Sequence, residues 1–208
     1  MKQFFIALLA ALILLPACKN KSTSASEIKQ STEAAVKKGK YAIKSGVVEY
    51  KTQIMGMDAK QILMFDEYGE KEKTEIEIEM MGVKSHTCTI TKDGFVYTFD
   101  PEKKTGTKTS LIPQSTNIDF ENLTEEFKED MKLVKLGSET FLEKKCDKYS
   151  IDNEKLKMKG TYLVWKGIPL KTDVDLSSMK MALAATKVDE NTGLPASTFE
   201  IPTDIKFE

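Results

Sequence analysis

From Lys40 onward, apolar and polar residues alternate with a period of two, the pattern of half-buried strands. In Val47 to Ile54, the residues Val48, Tyr50, Thr52 and Ile54 share one face, while Glu49, Lys51 and Gln53 share the other. Thr74 to Met80 sets Ile76, Ile78 and Met80 against Glu75, Glu77 and Glu79, a carboxylate row that reads as a solvated outer face. Phe95, Tyr97 and Phe99 form an aromatic stripe with the same period, and Ile168 to Leu176 a longer aliphatic one. Further strands are predicted over Gln61 to Asp66, Ser85 to Thr91, Thr105 to Leu111, Glu139 to Leu142, Cys146 to Ile151, Leu156 to Trp165, Lys180 to Val188 and Thr198 to Ile201.

Two stretches follow a helical period instead. Ile28, Thr32, Ala35 and Val36 predict a short helix from Ser26 through Lys38, stopped by Gly39. Leu123, Phe127, Met131 and Val134 predict a second over Leu123 to Leu133, capped by Asn122 or Thr124. About ten strands and two helices give a mainly β (α+β) domain. Its expected form is a curved antiparallel sheet making an incomplete barrel, covered by the N-terminal helix and the inserted internal helix, because an open sheet of that size must curl.

The beginning of the chain is of another kind. Lys2, the apolar run Phe4 to Leu15 and the sequence Leu15-Pro16-Ala17-Cys18 make a secretory signal too short to span a bilayer comfortably. The last four residues resemble the bacterial lipobox, which implies cleavage before Cys18 and lipidation of its sulfur. The expected organisation is a lipoprotein signal peptide over residues 1–17, a lipidated Cys18 with a polar tether to residue 26, and one domain over residues 27–208. Two or three acyl chains suffice to hold such a domain on a membrane.

Composition narrows the chemistry. Without the signal, 30 lysines face 32 acids, and the balance offers no basic excess for nucleic acid. Arginine is absent, so bidentate clamping of phosphate is unavailable. The one histidine, His86, lies on an apolar strand face with no nucleophile or glycine-rich loop near it in sequence, and no enzyme, cofactor or metal site is expected. One histidine and two cysteines cannot close a tetrahedral zinc site without help from a carboxylate. Beyond Cys18, a disulfide between Cys88 and Cys146 is open to the chain, as are two separate thiols.

The run Thr91-Lys92-Asp93-Gly94-Phe95-Val96-Tyr97-Thr98-Phe99-Asp100-Pro101 is similar to a segment of the lipoprotein carriers of the LolA and LolB type. Gly167-Ile168-Pro169-Leu170, Gly193-Leu194-Pro195 and Phe199-Glu200-Ile201-Pro202 agree with the same order. The resemblance implies a half-barrel whose apolar cavity receives acyl chains. Its wall residues here would be Val48, Tyr50, Ile54, Ile76, Ile78, Met80, Phe95, Tyr97 and Phe99, with Leu123, Phe127 and Met131 as a lid. Met80-Met81-Gly82-Val83 is the counterpart of the membrane-anchored receptor's apolar tip, and the arginine latch of the soluble carrier has no equivalent. By the family's sorting habits, Lys19 favours the outer membrane. The expected function is thus a lipid-anchored, non-enzymatic binder of a lipid or a lipoprotein acyl chain. The alternative is a structural or protein-interaction lipoprotein with a filled core.

Overall fold

A computed structural model describes residues 39–54, 57–80, 82–111, 118–177 and 179–208. The expected signal peptide and tether with Cys18, the helix expected over Ser26 to Lys38, and Met81 lie outside the described residues, as do the side chains of Ile54, Met80 and Val83. The elements are β1 (Gly46–Ile54), β2 (Met57–Asp66), β3 (Lys71–Met80), β4 (Val83–Lys92), β5 (Phe95–Asp100), β6 (Thr105–Ser110), helix α1 (Glu125–Met131), β7 (Leu133–Phe141), β8 (Lys144–Asn153), β9 (Met158–Trp165), β10 (Ile168–Leu176), β11 (Met179–Glu190) and β12 (Lys206–Phe207). All twelve strands join one curved, open sheet in the order β12, β6, β5, β4, β3, β2, β1, β11, β10, β9, β8, β7. β1 unites two antiparallel meanders by pairing with β2 on one side and β11 on the other. Only β12, against β6, is parallel.

Local sequence explains the curvature. Register shifts at Glu49/Tyr50, Pro169/Lys171 and Lys135/Gly137 bend three strands, and Pro169 sits at such a shift, where its missing N–H costs least. At Gly160 a Cβ would lie 2.1 Å from the Asp173 carbonyl oxygen, so only glycine lets β9 coil this tightly against β10.

The register defines two faces. The inner face carries Val48, Tyr50 and Thr52 of β1, opposite Leu63, Gln61 and Ala59 of β2. Segment 39–45 closes one end of it: Tyr41 N–H donates to Tyr68 O at 2.9 Å, Ala42 N–H to Lys166 O at 3.1 Å, and the Tyr41 and Phe65 rings meet edge to face. Helix α1 and the preceding Ile118 and Phe120 cover the other end, packing on Tyr149, Ile151, Tyr162 and Val174. Thr124 caps α1, its Oγ1 accepting from Phe127 N–H at 3.1 Å, with Glu125 and Glu126 in the first turn complementing the helix dipole. Asn153 Nδ2 ties the helix C-terminus to β8 by donating to Asp130 O at 2.7 Å.

Several expectations are corrected. The described residues form twelve strands rather than about ten: β7 starts at Leu133 instead of Glu139, and Lys206–Phe207 adds an edge strand. The internal helix is shorter than expected and stops where Lys132 turns left-handed at φ 53°. Thr198 to Ile201 is no strand: Ala196–Phe199 is a 3-10 turn, set between Pro195 and Pro202, which break strand pairing. Of the two alternatives left open for Cys88 and Cys146, the structure has the separate thiols: both are free and buried, with six strands between theirs in the sheet. The aromatic stripe is the largest correction. Phe95, Tyr97 and Phe99 lie opposite Lys92, Ile90 and Cys88, on the outer face rather than the inner one. There Cys88, Ile90 and Phe99 pack beneath Ile201, Ile205 and Phe207, with the Phe207 ring 5.5 Å from Tyr97 and 6.1 Å from Phe99.

Candidate functional site

The inner face is not fully packed. Thr172, Leu183, Thr52, Ala59, Ile78 and Ser85 form one lateral row across β10, β11, β1, β2, β3 and β4, each directly opposite the next. Most of these side chains are small, and over them opens a cavity of about 730 Å³. A second cavity of about 330 Å³ lies nearer segment 39–45, over Tyr50, Leu63, Glu72 and Thr74, and Leu183 lines both.

The second cavity is lined largely by hydroxyl-bearing strands. Thr74, Thr89, Thr91 and Thr109 line it, and Thr89 Oγ1 lies 3.3 Å from Thr98 Oγ1 across β4 and β5. Threonine suits a pleated surface and offers a methyl and a hydroxyl together. At the closed end, Lys40 Nζ donates to both carboxylate oxygens of buried Glu72, at 2.8 and 2.6 Å, and the Tyr41 hydroxyl donates to Glu72 Oε1. Tyr50 OH donates to Pro169 O at 3.2 Å. Burial, reinforced by the Glu72 charge, holds the Tyr41 and Tyr50 hydroxyls far above the ordinary tyrosine range, so both remain neutral donors.

Among the wall residues expected from sequence, Tyr50 and Ile78 border the cavities, and Ile76 shares their face. Val48 is fully buried in packed core. Phe127 and Met131, with Leu123, pack on β8 to β10 and line neither cavity. Phe95, Tyr97 and Phe99 belong to the outer face. Glu72, Lys40, Tyr41 and the threonines were not anticipated. The one available signal for Glu72 was its phase: it falls on the same alternation as Ile76 and Ile78, where a carboxylate requires a partner.

On the outer face, Glu77 and Glu79 are exposed as expected, but Glu75 is half-buried, with its Oε1 2.7 Å from Lys73 Nζ. Burial and the nearby Glu75 charge raise the pKa of the Cys88 thiol. Among the described residues no helix is long and apolar enough to cross a membrane.

No family model and no curated protein matches the chain. Solved structures do. An uncharacterized conserved protein from Thermus thermophilus is 10% identical over 80% of this chain and 91% of its own, with a TM-score of 0.54. A chain of the Pseudomonas aeruginosa MucA/MucB complex is 9% identical over 78% of this chain, which spans 57% of that one, with a TM-score of 0.48. A LolA superfamily protein from Nitrosomonas europaea is 11% identical over 77% and 92%, with a TM-score of 0.37. At such identities the likeness is one of fold alone. What is shared with the Thermus thermophilus protein is the fold, here an open, curved, mainly antiparallel sheet with a helix on its inner face.

Proposed function

We propose that this chain is an envelope lipoprotein, held to the outer membrane by lipid on Cys18, that binds the acyl chain of a lipid or lipoprotein in its inner-face cavity and catalyses no reaction. The observation that carries this reading is the row from Thr172 to Ser85 with its cavity of about 730 Å³. That volume is within the roughly 300–1,000 Å³ of ligand sites. Five interstrand spacings of about 4.8 Å make the row about 24 Å long, against about 15 Å for half of a bilayer's hydrocarbon core. An acyl chain therefore fits along it, each buried CH₂ contributing about 0.8 kcal/mol. The threonine hydroxyls and the Lys40–Glu72–Tyr41 cluster then face the polar end of such a ligand from the second cavity.

The test is solvent extraction and mass spectrometry of Cys18→Ser protein, which carries no anchor lipid of its own. Lipid at about one molecule per chain is the expected result. Protein that neither retains lipid nor takes up a fluorescent fatty acid would sink the reading. The interaction-lipoprotein alternative draws on β7, the sheet's free edge, where Val134 and Leu136 are 54% and 56% exposed. Crosslinking from β7 to a protein partner, with no lipid recovered, would favour it.

A further inference from the structure

On the outer face of β3 and β4, far in register from the core-packed strands β8 to β10, three side chains of different chemistry converge. Cys88 stands directly opposite Glu75, and His86 is two residues along β4 on the same face. A carboxylate oxygen, an imidazole nitrogen and the thiol sulfur fall within 4.8 Å of one another. Cys88 Sγ lies 3.5 Å from His86 Nε2. Tetrahedral zinc, with Zn–S near 2.3 Å and Zn–N near 2.0–2.1 Å, places sulfur and nitrogen about 3.5 Å apart. The pair already has that spacing, and Glu75 closes the triangle by rotation about its side-chain torsions.

We propose that Glu75, His86 and Cys88 bind one Zn²⁺ ion, with water in the fourth position. Glu75 supplies the carboxylate that brings a single histidine and cysteine to three protein ligands, the set that leaves the fourth position to water. The mixture of thiolate, imidazole and carboxylate selects zinc over magnesium or calcium, which prefer oxygen ligands alone. The sulfur side is dry, since Cys88 packs with Ile90 and Phe99 under Ile205 and Phe207. Glu75 and His86 are half-buried, so water reaches the open position. Lys73 holds Glu75 Oε1 and leaves the second carboxylate oxygen for the metal, while its charge weakens the site. As the Zn–S bond forms, the Cys88 proton passes to solvent, one per ion bound.

Calorimetric titration of the full chain with Zn²⁺, and absorbance titration with Co²⁺, test the proposal. One ion per chain and a thiolate-to-cobalt charge-transfer band are expected. His86→Ala and Glu75→Gln should each weaken binding by more than about 100-fold, beyond the loss of an outer-shell partner. Lys73→Gln should tighten it by about 2- to 5-fold as the opposing charge is removed. Cys146→Ser should leave the band unchanged and Cys88→Ser should abolish it. A missing band, a band that survives Cys88→Ser, or wild-type affinity in His86→Ala would overturn the site. Thermal unfolding identifies a variant that has lost its fold, and His86→Ala, at a half-buried position, decides the matter if Cys88→Ser does not fold.

Discussion

Replacing Glu72 by alanine isolates the energetics of the closed end of the inner face. Glu72 accepts two hydrogen bonds from Lys40 and one from Tyr41, and its side chain is 9% exposed. After truncation the Tyr41 hydroxyl, on a residue 3% exposed, loses its acceptor, at about 1–3 kcal/mol. The Lys40 ammonium also loses its counter-charge. Its side chain is 20% exposed, so water repays part of that loss. The sum should approach the roughly 3–5 kcal/mol of a broken buried pair, a large part of a domain's typical 5–15 kcal/mol. Urea unfolding at neutral pH gives the difference directly. The triple change Lys40→Met, Tyr41→Phe, Glu72→Met removes every member of the network and should recover stability to within about 1 kcal/mol of the parent or better. An alanine variant losing under about 1 kcal/mol, the worth of a surface pair, would refute the reasoning, because segment 39–45 would not then be sealing the sheet as described.

Three other outcomes follow from the same structure. Ala59→Phe places a ring in the middle of the row under the larger cavity; lipid recovered per chain should fall by at least half while the urea midpoint stays near the parent's. Glu190 accepts from Lys144 at 2.7 Å and Lys166 at 3.1 Å, and these bonds, that to Lys144 foremost, hold its carboxyl below the usual 4.5. It therefore stabilises the fold above about pH 4.5 and loses that contribution as pH falls through its depressed value, so Glu190→Gln should flatten the acid limb of a stability–pH curve. Phe207→Ala strips the edge-on contacts to Tyr97 and Phe99 and should cost about 2–3 kcal/mol by urea unfolding, less than a fully buried phenylalanine because Phe207 is half-buried.

Much of the strand pattern was legible because alternation is a local property. Ile168–Leu176 matches the expected bounds, and β1 differs by one residue. Which face an alternating set occupies is not local. It follows from cross-strand register, and there the aromatic stripe misled: β4 sends Thr87, Thr89 and Thr91 inward, opposite Ile76, Thr74 and Glu72, so its apolar Cys88 and Ile90 and their partners on β5 turn outward. That outer face is apolar because residues 201–207 cover it, a segment too short and too proline-marked to announce itself. The first half of β7, before the expected start at Glu139, escaped for the opposite reason, since Val134 to Thr140 are all exposed and a register shift at Lys135/Gly137 interrupts the period. The Lys40–Glu72 contact joins residues 32 positions apart, beyond the reach of any periodicity.

The position of β1 at the middle of the sheet also governs how the molecule is made. Gly46 pairs with Glu190 and Ile54 with Met181, so the joint between the two meanders waits for strands near opposite ends of the sequence to find each other. Neither meander can cover its own inner face, because β1 completes the surface that both share. Non-local pairing of this kind makes for slow folding through partly assembled states. During that interval the inner face is bare, and a ligand lying along it would act as a template on which the second meander closes.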